Sequence, residues 1–158
     1  MAYAKDTSVA VERTEAEIKA VIRRYGATAF ASMEAKGSAM IAFEMQGRHV
    51  AFRLPLPDVA DKEFQRTPAK GLARSPQQQL AAWEQACRSR WRALFLCIKA
   101  KLESVEAGIE TFEDAFLAHI QMPDGMTVGE HVRPRIAQAY NGGEMTWQPL
   151  LPGPRTIQ

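Results

Sequence analysis

The sequence predicts a single α+β domain: an N-terminal helix, a three-stranded antiparallel β-meander, one long central helix, two shorter C-terminal helices and an extended tail. Three observations predict it. Apolar residues recur at helical spacing up to Tyr25, alternate in steps of two from Ala29 to Leu54, and return to helical spacing from Leu80 to Val105. At 158 residues the chain is long enough to bury one core without staples. The expected layout is one domain over 1–158, with a flexible start at 1–10, helix plus meander over 11–57, a basic loop over 58–74, a helical part over 75–140 and a Pro/Gly-rich tail over 141–158.

In the first element, Thr14 and Glu17 make the Ser/Thr-x-x-Glu pattern of a helix start. Ile18, Val21, Ile22 and Tyr25 follow at helical spacing, and Gly26 supplies the stop, so an amphipathic helix is expected over about Val11 to Tyr25. The period then changes to two. Ala29, Ala31 and Met33 alternate with Phe30, Ser32 and Glu34; Ile41, Phe43 and Met45 with Ala42, Glu44 and Gln46; Val50, Phe52 and Leu54 with His49, Ala51 and Arg53. Lys36-Gly37-Ser38 and Gln46-Gly47 are the turns. The expected sheet has one apolar face, and its other face carries Glu44, His49 and Arg53. That second face either meets water or binds something. Pro55-Leu56-Pro57 ends the third strand, because proline cannot donate to a ladder.

Residues 58–74 show no clear period and hold Lys62, Arg66, Lys70 and Arg74; a loop of this length is commonly either functional or disordered. Ser75-Pro76-Gln77-Gln78 then opens a helix with a Ser cap, Pro at the first helical position and Gln at the third. Leu80, Trp83, Cys87, Trp91, Leu94, Ile98, Leu102 and Val105 form one stripe. A helix of about 32 residues, roughly 48 Å, follows and must be the spine of the fold. Thr111 caps a shorter helix carrying Phe112, Phe116, Leu117 and Ile120; Pro123-Asp124-Gly125 is a turn; Thr127 and Glu130 open a last helix to about Tyr140, with Pro134 inside it.

The chemistry-bearing residues form no catalytic constellation. His49, His119 and His131 fall on different elements, with no HExxH and no paired CxxC, so no metal and no cofactor is expected. No GxxxxGK[ST], GxGxxG or GxSxG is present. Cys87 and Cys97 lie ten residues apart on one helix, about 15 Å, too far to pair with each other. They read as small buried hydrophobes, and two unpaired thiols suit a reducing compartment. The start of the chain lacks an apolar signal core and no run is long enough to span a bilayer, so a cytoplasmic location is expected.

Net charge is +2, the balance of 20 basic and 18 acidic residues, which excludes global steering of polyanions and excludes an acidic DNA mimic. Any nucleic-acid affinity must come from a local patch. The long helix offers one: Arg88, Arg92 and Lys99 fall within about 40° of one another, away from the apolar stripe. Arg90 and Lys101 flank the stripe on its other side. With the loop residues Lys62, Arg66, Lys70 and Arg74 these three are the candidate nucleic-acid contacts, since arginine grips phosphate through two parallel bonds. The competing account is a solvated helix face neutralised by neighbouring acids. Trp83 and Trp91, able in principle to stack on bases, are assigned to the core.

The order helix–strand–strand–strand–helix resembles the double-stranded-RNA-binding domain in topology, without that family's basic cluster, since 75–85 holds no Lys or Arg. At the level of sequence, the stretches MAYAKDTSV, RYGAT, FRLPLPD, WEQACRSRWRALFLCIKAKLESVEAGIETFEDAFLAHI and PDGMTVGE resemble a family of small proteins encoded by bacteriophages and prophages. That resemblance implies a phage protein in the bacterial cytoplasm and transfers no residue roles. The function expected is a non-enzymatic accessory binding DNA or RNA in phage replication or recombination; the alternative is a protein–protein module, such as an inhibitor of a host defence or a regulator. The expected partners are thus nucleic acid, or a host or phage protein, with no membrane, and a homo-oligomer through the long helix.

Overall fold

In the computed structural model, which describes residues 3–142, the first helix, α1, spans Val11–Arg24. Its cap position is Ala10, and no side chain closes it. Thr14, expected as the cap, is instead fully buried, and its Oγ1 has no hydrogen-bond partner. The cause is helical geometry. Thr14 stands four residues before Ile18, on the face that also carries Val21 and Ile22, and burying that face takes the hydroxyl with it. The start expected to be frayed also packs: Ala4 is buried, and Gln85 donates through Nε2 to the carbonyls of Lys5 and Thr7 at 3.0 and 2.8 Å.

Strands β1 (Ala29–Ala35), β2 (Ser38–Met45) and β3 (Arg48–Pro55) pair antiparallel in chain order, as the meander requires. Phe43 faces Val50 and Ile41 faces Phe52, so these residues share one buried face with Met45. On β1 the expected parity is reversed. Pairing of Phe30 with Phe43 and Ser32 with Ile41 puts Phe30, Ser32 and Glu34 on the core side and Ala29, Ala31 and Met33 on the other. Two-residue turns set this register: Lys36-Gly37 closes on the Ala35–Ser38 pair, and Gln46-Gly47 takes positive φ at both positions between Met45 and Arg48.

After β3 the chain forms a short helix, α2 (Lys62–Gln65), with Phe64 buried, and Arg66 bridges to Ala73. The 58–74 segment is therefore a folded loop with a plug of its own. Helix α3 runs Pro76–Glu106, 31 residues, and Ser75 and Gln78 close the expected capping box. Cys87, Trp91, Leu94, Ile98 and Leu102 bury the stripe against α1 and the sheet. Leu80, at the stripe's beginning, remains 47% exposed, because α3 starts beyond the edge of the core. Cys97 is exposed where a buried thiol was expected; it lies one position from Ile98, turned off the stripe.

Helix α4 is only Phe112–Phe116, followed by a 3-10 turn at Leu117–His119. The helix stops there because Ile120 bridges to Val50 and the Gln121 amide donates to the His49 carbonyl at 2.8 Å, covering the outer edge of β3 near its start. Phe116 fills the centre of the core with its ring edge-on to Phe43 and Phe52, at 5.8 and 6.2 Å. Helix α5, Val128–Tyr140, opens with the Thr127–Glu130 capping box and packs on the 3-10 turn. Gly129 permits that approach, since a Cβ there would meet the Ala118 carbonyl at 2.8 Å. The tail expected over 141–158 lies, from residue 143 on, outside the described residues. Among the described residues no helix is long and apolar enough to cross a membrane.

Candidate functional site

The seven cations singled out from the sequence separate into two groups. Arg88, Arg92 and Lys99 do share the side of α3 that faces α1. There Arg92 bonds the Glu17 carboxylate and stacks over the Phe95 ring at 4.4 Å. Arg88 donates to Gln85 Oε1 through Nε and Nη2 at 3.1 and 2.6 Å. Lys99 lies exposed beside Phe95 and Arg24. On the other side Arg90 donates to the Pro55 carbonyl at 2.9 Å and Lys101 to the Ala115 carbonyl at 2.6 Å.

The loop cations sit before the start of α3. Arg66 donates to the Gly71 carbonyl at 2.8 Å, and Arg74 to the carbonyls of Glu63 and Phe64 at 3.0 and 3.4 Å. Lys62 and Lys70 are exposed and make no side-chain hydrogen bond or ion pair among the described residues. From Ser75 to Lys99 the helix advances about 36 Å, so the two groups do not make one compact patch. Arg66, Arg74, Arg88 and Arg92 each commit at least one donor to the chain itself.

A different feature emerges where the end of β1, the segment after β3 and the starts of α1 and α3 meet. Two adjoining hollows of about 540 and 290 Å³ share Glu34, Leu56 and Trp83 in their walls. Trp83 donates its indole N–H to the Pro57 carbonyl at 2.7 Å. With the Arg90 bond to Pro55, this pins the Pro55-Leu56-Pro57 segment along α3 and leaves a stiff wall, because each proline also fixes its own φ. The deeper end is lined by Val11, Cys87 and Trp91.

The rim of this cleft is acidic. Glu12, Glu34, Glu84 and Asp58 stand around it against Lys36 and Arg88. Lys36 is spent on Asp58 at 3.9 Å and Arg88 on Gln85, while Glu12, Glu34 and Glu84 have no ion pair among the described residues. Burial pushes the Cys87 thiol above its ordinary value and the Glu34 charge adds to that, so the sulfur stays protonated as an apolar wall. The arrangement favours a cationic, partly apolar occupant. Among the described residues no group of three or more His, Cys, Asp or Glu is placed to hold a metal ion.

The cleft is hidden in the sequence because Trp83 continues the apolar stripe and reads as core. The available signal was Pro55-Leu56-Pro57, a rigid wall directly after a strand. The fold and cleft together define an α+β chain whose meander and long helix frame an acid-rimmed groove. Compared with family models, curated proteins and solved structures, the chain shows no match.

Proposed function

We propose that this chain is a non-enzymatic protein-binding accessory of a phage, acting in the bacterial cytoplasm, and that it receives an extended basic segment of a host or phage protein in the Trp83 cleft. The observation that carries this reading is the pinned Trp83 wall flanked by Glu12 and Glu84, carboxylates that no cation of the chain engages among the described residues. A basic side chain entering there gains charge complementarity at the rim while its aliphatic stem covers the tryptophan. The resemblance to phage-encoded proteins supports the context.

A second reading, contact with DNA or RNA, is favoured by Lys62, Lys70 and Lys99, which remain exposed. Three such contacts correspond to a slope of about −2.7 in the logarithm of affinity against the logarithm of salt. A yeast-displayed peptide library separates the two. Enriched peptides should carry Lys or Arg beside an apolar residue and lose binding at least about tenfold to Glu84→Lys and Trp83→Ala, one decade being about 1.4 kcal/mol. No enrichment, or binding indifferent to those changes, overturns the proposal. Salt-sensitive binding of DNA or RNA that disappears with Lys62→Ala, Lys70→Ala and Lys99→Ala would replace it.

A further inference from the structure

Strand β1 is an open edge. It contributes seven residues, Ala29–Ala35, and pairs only with β2, while the outer edge of β3 is met by Ile120 and Gln121 at Val50 and His49 and ends at Pro55. Among the described residues nothing bonds the outward N–H and C=O groups of β1. Such an edge is a template for another strand unless the chain blocks it with proline, a bulge or several charges. β1 carries no proline and one charge, Glu34. Met33 on its outer face is 58% exposed.

The surroundings of the edge indicate what it pairs with. Glu34 shares the cleft wall with Val11 and Glu12 at the beginning of α1, whereas Phe30 lies under Lys19, whose Nζ is 5.8 Å from the ring centroid. Helix α1 therefore runs antiparallel to β1: eight residues of helix, about 12 Å, lie alongside four residues of strand, about 13 Å. On this side α1 is divided by charge, with Glu12 and Glu15 in its first half and Lys19 and Arg23 in its second.

From these facts we infer that β1 pairs antiparallel with β1 of a second copy about a two-fold axis at Ser32, giving a continuous six-stranded sheet. In that register Ser32 faces its own counterpart and Glu34 faces Phe30 of the second copy. Glu34 then comes beside the second copy's Lys19, and the relation is repeated by symmetry. The same axis reverses one α1 against the other, so the acidic half of each helix faces the basic half of its mate. No like charges are brought opposite each other across the strands. A two-fold interface must be complementary to itself, and this charge order satisfies that condition. The apolar stripe of α3, expected to mediate self-association, is consumed within the chain from Cys87 to Leu102; the strand edge is the surface left open.

Sedimentation equilibrium of the full chain tests the inference, with circular dichroism to confirm that each variant is folded. The wild type should show a mass of twice 17.6 kDa. Lys19→Glu and Glu34→Lys should each weaken the dimer about tenfold or more, and the double reversal should recover most of that loss. In a Cys97→Ser background, Ser32→Cys should give a disulfide-linked dimer on oxidation. Ala35→Cys should not, because the two copies of residue 35 would lie at opposite ends of the paired strands. A monomer at every concentration, or a dimer indifferent to both single reversals and to the Ser32→Cys crosslink, overturns the inference. Trp83→Ala should leave the dimer intact, so failure here and failure of the cleft reading are distinguishable.

Discussion

Arg92 crosses from α3 to α1 and grips the Glu17 carboxylate from above the Phe95 ring, tying the two helices that roof the sheet. Its hydrogen bond to Glu17 is the main reason that this carboxyl is held below its ordinary value. A lowered value in the folded chain means a contribution that is complete above about pH 4.5 and is lost as pH falls through the folded value. Urea unfolding at several pH values should show this acid-side loss in the wild type and not in Glu17→Gln. Both side chains are partly in water, so a double-mutant cycle with Arg92→Ala should give a coupling of about 0.5–1 kcal/mol. No coupling would show that the pair is incidental.

Thr14 offers a gain. Its buried hydroxyl has no partner, and Thr14→Val keeps the shape while removing the desolvated group. The substitution should raise stability by about 1 kcal/mol, read as a higher urea midpoint at unchanged slope. A loss of stability would mean that the hydroxyl is bonded after all.

Much of the fold was legible because it rests on period and capping, which are local properties. The Ser75 and Thr127 boxes and the Cys87–Leu102 stripe sit where spacing put them. Thr14 misled because its pattern with Glu17 is a genuine capping pattern overridden by burial of the Ile18 face. The parity of β1 was illegible in AFASMEA, where alanine alternates with residues of every kind. Angle on a helix groups Arg88, Arg92 and Lys99, and the structure keeps the three on one side of α3. What angle cannot give is the partner: Glu17 lies 75 residues away in sequence from Arg92. The cleft depended on a strand end, a proline segment and a helix start coming together, which no single window of sequence contains.

His119 stacks on Phe52 at 3.9 Å, and burial, with Lys101 as a lesser cause, holds its imidazole below the ordinary value. The unfolded chain therefore takes up the proton first. Stability should be complete above about pH 6.5 and decline as pH falls from there toward the folded value, with a slope of at most about 1.4 kcal/mol per pH unit. His119→Phe keeps a ring against Phe52 and should remove this slope. If both proteins decline identically between pH 7 and 5, the imidazole is not responsible.

Arg74 separates structural from available cations in the 58–74 loop. Its guanidinium holds the carbonyls that end α2. Arg74→Ala should speed limited proteolysis within 62–73, while Lys62→Ala and Lys70→Ala should leave the digestion rate unchanged apart from the loss of their own trypsin sites. Equal protection in Arg74→Ala would place the loop's order in Phe64 alone.

The two thiols of α3 make the chain a ready-made reporter of its own opening. Cys97 faces solvent, whereas Cys87 is buried in the inner wall of the cleft beside Trp83 and Trp91, with its sulfur kept neutral. A maleimide added to the native chain will modify Cys97 at once and wait for Cys87. The delay of that second reaction measures how seldom the cleft wall around Trp83 opens wide enough to admit a reagent, a clock that needs no added probe.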